Sequence, residues 1–261
     1  MKRIHTRRTY QVFAAQRGFS MLELVVAMSI AVFLLAGLFT ILQGTRHTST
    51  DQTALAQLQD NERIAMSVMT DIVQAAGYFP GAPTAVLTQE LLANAQFATA
   101  GQSVAGTDNG AQGVNLLIRF KTAGGDRIYN CFGSNPVGGG PTPYINTFSV
   151  NANNQLTCSN GTITAAIANG VQKLEVRYAV NTSSTSTNSN CPADRYLTTA
   201  QMTQPIYWTN VCAVEIKLTF TNLLYQPVPG GPTTPGQPQT VVFTRLIGIM
   251  SKSGVNSVTV I

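Results

Sequence analysis

Charge is scarce in this sequence. Asp, Glu, Lys and Arg make up 10% of its 261 residues, against roughly 25% in an ordinary soluble domain. That shortage argues against a charge-rich cytosolic enzyme and equally against a disordered polyelectrolyte. Histidine is scarcer still. The two present are His5 and His47, so nothing beyond them offers the imidazole of a Ser-His-Asp or Cys-His arrangement. Proline is missing before Pro80, although the chain has 12. A proline inside a helix costs about 3 kcal/mol, so this long proline-free start fits one continuous helix.

The charge that is present is unevenly placed. The formal net charge is +5, and Lys2, Arg3, Arg7, Arg8 and Arg17 supply five of the 16 basic residues. The remaining 11 balance 11 acidic residues, so the rest of the chain is neutral. A nucleic-acid-binding protein needs cationic surface on its folded body, and no direct nucleic-acid contact is expected here. Tyr207-Trp208 has no basic neighbour, so it reads as packing rather than as a base-stacking platform.

Residues 24–45 carry no charge. About 20 helical residues at ~1.5 Å each cross a ~30 Å hydrocarbon layer. Cations before the run orient the N-terminus to the cytoplasm and the remainder to the exported side. A cleaved secretory signal peptide is the alternative, but the run is longer than the usual h-region of about 7–15 residues and no A-x-A-like site follows. Glu23 directly precedes the run. A carboxylate near bilayer depth costs up to ~3 kcal/mol, so Glu23 either snorkels to the headgroups or has a function.

Arg17-Gly18-Phe19-Ser20-Met21-Leu22-Glu23-Leu24, followed by the apolar run, resembles the class III signal of type IV pilins and type II secretion pseudopilins. The resemblance implies that a prepilin peptidase cuts between Gly18 and Phe19 and methylates the new amine of Phe19. Loss of an 18-residue leader would leave 243 of the 261 residues. Ala56 to Ala65, then Asp71-Ile72 and Ala75-Ala76-Gly77-Tyr78, resemble the helix end of PilW-type minor pilins, which are related to the J-type pseudopilins. The likeness spans residues 17–80. Thr40 stands where many major pilins have a proline, so no kink is expected there.

The resemblance implies a non-enzymatic subunit that primes or caps a type IV pilus, with Glu23 facing the amine of an adjacent subunit. Its implied partners are the prepilin peptidase, other minor pilins, the major pilin, a tip adhesin and the inner membrane, crossed once with the head periplasmic before incorporation at or near the pilus tip. No catalytic residue, cofactor or metal is expected. Two alternatives stay open: a type II secretion pseudopilin, and a membrane-anchored periplasmic enzyme or ligand-binding protein.

The chain divides into a basic leader (1–18), an apolar helix half (19–45), an amphipathic helix half (46–77) and a β-rich head (78–261). Leu55, Leu58, Ala65, Val68, Met69, Ile72 and Ala76 recur at helical spacing, interrupted at Asn61 and Glu62, as in a helix with one face on a sheet. Gly77 and Pro80 mark its end. In the head, residues 114–120, 174–180 and 214–220 read as strands, and the last two alternate charged with apolar residues. Residues 241–243 and 258–261 are further strand candidates. The expected fold is α+β, a pilin-like long helix whose second half packs on an antiparallel sheet. Asp108-Asn109-Gly110 is read as a turn, as is Gly138-Gly139-Gly140, which lacks the Lys of a P-loop. Residues 181–190 are a polar loop, and residues 226–238, with five prolines and three glycines, a stiff one.

Cys131, Cys158, Cys191 and Cys212 all fall in the exported head, where disulfides are the default. Four cysteines allow three pairings. Pairing sequence neighbours, Cys131 with Cys158 and Cys191 with Cys212, is the most economical. Zinc is the alternative, but C-x-x-C spacing is absent. The head's six carboxylates, Glu90, Asp108, Asp126, Glu175, Asp194 and Glu215, are scattered, and no spacing pairs two of them for acid–base chemistry.

Overall fold

The computed structural model describes residues 18, 20–81, 86–135, 140–183, 191–225 and 238–252. Phe19, most of the three Gly/Pro/Ser-rich loops and the strand candidate at 258–261 lie outside them. Two compact units emerge, Met1–Gln52 and Thr53–Ile261.

The helix α1 runs from Met21 to Gln74 without a break, through Thr40 as through the rest. Gly77 ends it with φ of +73°, a left-handed conformation that glycine adopts without steric cost. The freed groups at this end are satisfied by the head. The Gly77 amide donates to the Arg119 carbonyl at 3.0 Å, and the Lys121 amide donates to the Tyr78 carbonyl at 2.8 Å. The Ser251 hydroxyl donates to the Ala76 carbonyl at 2.8 Å.

Among the described residues, nine strands form two antiparallel sheets. The first has the order β1 (Val104–Asp108), β2 (Val114–Thr122), β3 (Thr142–Val150), β4 (Gln155–Ser159), β5 (Thr164–Asn169). The second has the order β7 (Arg195–Thr198), β6 (Val171–Val180), β8 (Val211–Thr221), β9 (Thr240–Gly248). The two-residue period decides which side chains turn inward. Leu174, Val176 and Tyr178 of β6 and Val214, Ile216, Leu218 and Phe220 of β8 are buried. The register sets Glu175 opposite Lys217 and Arg177 opposite Glu215, so the outward positions close ion pairs of 2.9 and 2.8 Å. Between the sheets, Gly113 bridges Leu174.

Leu58, Ala65, Met66, Met69, Ile72, Val73 and Ala76 of α1 join residues of both sheets in one core. Burial begins at Leu58, so the expected core position Leu55 is corrected: it is exposed. Met66 and Val73, outside the stripe read from the sequence, are buried because α1 meets both sheets and hides a broader face. The interruption at Asn61 also has a use. Its side-chain oxygen accepts from the Asn169 amide of β5 at 3.2 Å. The amides of Asn169, Gln155 and Asn151 extend that contact across the hairpin. On the other sheet, Arg245 of β9 donates to the Thr70 hydroxyl.

A second, smaller core lies on the other side of β1 and β2, where Phe97 packs on Ala105 and Leu117. Among the described residues the head also has two short α-helices, α2 (Leu87–Glu90) and α3 (Pro205–Thr209).

Gly113 is the tightest joint between the sheets. A Cβ there would sit 2.0 Å from the Leu174 carbonyl oxygen, on a φ of +99°. Gly113→Ala is expected to destabilise the head by about 2–4 kcal/mol. Gly161→Ala, at φ +88° in open space, is expected to cost only about 1–2 kcal/mol. Denaturant unfolding of the two variants checks this, and equal losses would refute the joint.

Candidate functional site

The sequence places its strongest signal around residue 18. Gly18 is exposed, ahead of the helix. The Ser20 carbonyl accepts from the amides of Glu23 at 3.0 Å and Leu24 at 3.2 Å, closing the first turn of α1. Glu23 therefore sits in that first turn, exposed, where the positive end of the helix dipole favours a carboxylate. Of the expected processing residues Gly18 is described and Phe19 is not, and the expected assembly residue Glu23 is described.

From Met21 to Thr50 every residue of α1 is exposed. Large apolar side chains are open all round, Phe33 at 82% and Ile41 at 70% among them. A surface helix of a soluble protein shows one apolar stripe, whereas a helix apolar on every side needs lipid or other helices. The hydroxyls within 24–45 are compatible with both, because each is satisfied inside the helix. Ser29 donates to the Val26 carbonyl at 2.8 Å, Thr40 to Ala36 at 2.9 Å and Thr45 to Ile41 at 2.9 Å. In hydrocarbon an unpaired polar group costs several kcal/mol. The helix turns polar at Arg46, and His47 and Asp51 meet at 2.9 Å one turn apart.

In the head, Cys131 is bonded to Cys158 and Cys191 to Cys212. The first disulfide ties the β2–β3 loop to β4, and the second ties the segment before β7 to the start of β8. The carboxylates are each held by a partner of their own. Glu90 pairs with Lys121 at 2.9 Å, Glu175 with Lys173 at 3.0 Å and with Lys217, and Glu215 with Arg177. Asp108 accepts from the Gly110 amide, and Asp194 accepts from Thr182. Hydrogen bonds from Lys217 and Lys173 hold the Glu175 carboxyl below its usual range against the opposing effect of burial. Among the described residues no group of three His, Cys, Asp or Glu is arranged to hold a metal ion. Trp208 packs edge-on against Tyr178, with centroids 5.0 Å apart, and its indole donates to the Met202 carbonyl.

Two features escaped the sequence reading. Arg119 is buried, donating to the carbonyls of Gln102, Leu92, Leu91 and Thr99, with its guanidinium 4.4 Å above the Phe97 ring. Burial pushes its pKa down to about 10. A lone cation inside Leu116-Leu117-Ile118-Arg119-Phe120 was the available signal. The second is Asp126, whose carboxylate accepts from the Thr122 hydroxyl, the amides of Ala123 and Ile128, and the Asn135 side chain. It ties together the β2–β3 loop between Thr122 and Asn135.

Comparison with known proteins identifies the ends of this architecture. Residues 13–39 match the family described as the prokaryotic N-terminal methylation motif, and residues 141–242 match the Type IV Pilus-assembly protein W family. Both matches support a type IV pilin of the PilW type. The methylation motif implies processing by a peptidase, and the apolar helix behind it implies membrane anchoring and incorporation into a pilus. Pilins are structural subunits rather than enzymes. No curated protein matches the chain significantly. A solved type IV-like pilin from Thermus thermophilus is 15% identical, with 76% of this chain and 97% of that one covered at a TM-score of 0.38. The family assignment rests on the two sequence matches.

Asp126 supplies a test by pH. Burial raises its pKa, but the hydrogen bonds from Thr122, Ala123, Ile128 and Asn135 outweigh burial and hold it below the ordinary value. A carboxyl depressed in the folded state contributes stability above its unfolded pKa of about 4 and loses it as pH falls through the folded value. Thermal melts are therefore expected to decline on acidification below about pH 4. Asp126→Asn should lower the melting temperature at neutral pH and flatten that decline. Parallel pH profiles for the two proteins would contradict the assignment.

Proposed function

We propose that this PilW-type pilin is a minor subunit that primes or caps type IV pilus assembly, through its N-terminal helix and through head-to-head contacts. The observation that carries this reading is a helix exposed and apolar on every side over the charge-free run 24–45, with a carboxylate, Glu23, in its first turn. In the precursor, the five leader cations hold the N-terminus in the cytoplasm and the span crosses the inner membrane. A prepilin peptidase cuts between Gly18 and Phe19, which removes those cations and leaves a methylated amine on Phe19. The helix then leaves lipid for the core of the filament, at or near the tip, among other minor pilins and the major pilin.

Glu23 does its work at that transfer. Its charge and the free amine of a neighbouring subunit attract strongly in a low dielectric, but both must shed water first. Much of the attraction is cancelled, and what survives is register. A subunit seated one turn out leaves a carboxylate buried without a counter-charge, which is strongly unfavourable.

Replacing Gly18 with leucine is expected to block cleavage, so that the protein in the membrane keeps its leader. Glu23→Ala is expected to be cleaved normally yet to be depleted from pili. Mass spectrometry of the N-terminus and quantification in sheared pili read the two effects separately. A wild-type protein that retains Met1 would sink the reading, and normal incorporation of the Glu23 variant would remove the role of the carboxylate.

A further inference from the structure

Two non-glycine residues have positive φ among those described: Asn154 at 54° and Arg127 at 60°. Asparagine tolerates the left-handed region, whereas a long side chain there is uncommon. Glycine would fit this position without strain, and the two residues before Asp126 are glycines, Gly124 and Gly125. Arginine at 127 therefore calls for a reason other than folding.

The described residues on both sides of Arg127 are tied by hydrogen bonds. Asp126 receives its four hydrogen bonds immediately before it. The Asn130 side chain accepts from the amides of Phe132 and Ser134, and the Cys131 amide donates to buried Asn146. Cys131 is then fixed to β4 by its disulfide. Two large side chains stand open on this frame, Arg127 and, two residues on, Tyr129 at 48% exposure. The other cations of the head are engaged. Lys121, Lys173, Arg177 and Lys217 are in ion pairs. Arg119 is bonded to carbonyls, Arg245 to Thr70, and Lys252 is buried, while Arg195 lies in the field of Asp194. The Arg127 guanidinium has no ion pair or hydrogen bond among the described residues.

The geometry points to a docking tip: Arg127 and Tyr129 are held ready for a carboxylate-bearing surface on an adjacent pilus subunit. Arginine and tyrosine dominate protein interface energetics, and a pre-ordered loop spends little entropy on binding. The planar guanidinium fits a carboxylate through two parallel hydrogen bonds. The neutrality of the body as a whole favours a protein partner over a polyanion such as nucleic acid, which needs a broad cationic track. This inference rests on the head-to-head contacts of the reading above.

The experiment uses the full chain in its host, with a photo-reactive benzoylphenylalanine in place of Tyr129 and identification of the cross-linked peptide. The expected product joins this loop to an Asp- or Glu-containing peptide of another pilus subunit. Arg127→Glu should reduce it at least fivefold, and Arg127→Lys should retain more than half. Arg127→Gly is the control for folding: it should melt no lower than wild type and still lose the cross-link. Cross-linking that survives Arg127→Glu, a product with nucleic acid or with no acidic peptide, no product at all, or a lowered melting temperature in Arg127→Gly would each overturn the proposal. A strain lacking the chain sets the reference. Normal pili in that strain refute the assembly reading itself. Lost pili there, with pili and cross-link intact in Arg127→Glu, refute the docking tip alone.

Discussion

One apolar face of α1 holds the head together. The two sheets share no strand and meet where β6 passes the first sheet, as at Gly113 beside Leu174 and Gly106 beside Tyr178. Each sheet alone is amphipathic and would leave its inner face wet. Ala65, Met66, Met69, Ile72, Val73 and Ala76 supply the missing layer for both. The helix end is then locked by backbone bonds to β2 and by Ser251. A core arranged this way cannot tolerate a helix that stops early, which gives the proline-free start of the sequence a structural reason.

The same helix has two surface chemistries, and the sequence changes between them within a few residues. Up to residue 45 the apolar residues go all round and the hydroxyls bond inward to the preceding turn. Beyond it Arg46, His47 and Asp51 appear, and further on most apolar residues gather on one side, with Leu55 and Ile64 left exposed. Lipid requires the first pattern and a half-exposed head helix the second. The transition was therefore readable from composition alone, without any knowledge of the head.

Other parts were legible to different degrees, for identifiable reasons. The strands at 174–180 and 214–220 were visible because their charges alternate with buried residues. Division into two sheets was not, because a two-residue period tells which side faces inward but not which strand lies next door. The signal around Gly18, Phe19 and Glu23 stood out because it is contiguous, within the segment that matches the methylation motif. Arg119, Asp126 and Arg127 were not. Arg119 depends on carbonyls 17 to 28 residues away, and Asp126 gathers donors from both sides of a loop. What distinguishes Arg127 is a dihedral angle that its neighbours in sequence barely announce.

The shortage of charge also explains how the turns are built. Residues 128–172 contain no Asp, Glu, Lys, Arg or His, yet they include three strands and their connections. Amides take over the work that charged caps do elsewhere. Asn130 holds Phe132 and Ser134, Asn151 holds Asn153 and Gln155, and Asn160 holds Thr162 and Ile163. An amide neither titrates in the ordinary range nor suffers ionic screening. The turns at 151–155 and 160–163 therefore keep these bonds through changes of salt and acidity. The few charges of the head are concentrated elsewhere, on the outward face of β6 and β8 and around the β2–β3 loop. A chain this poor in charge presents recognition features at few places, and a solvent-exposed guanidinium without a partner stands out against so uniform a background.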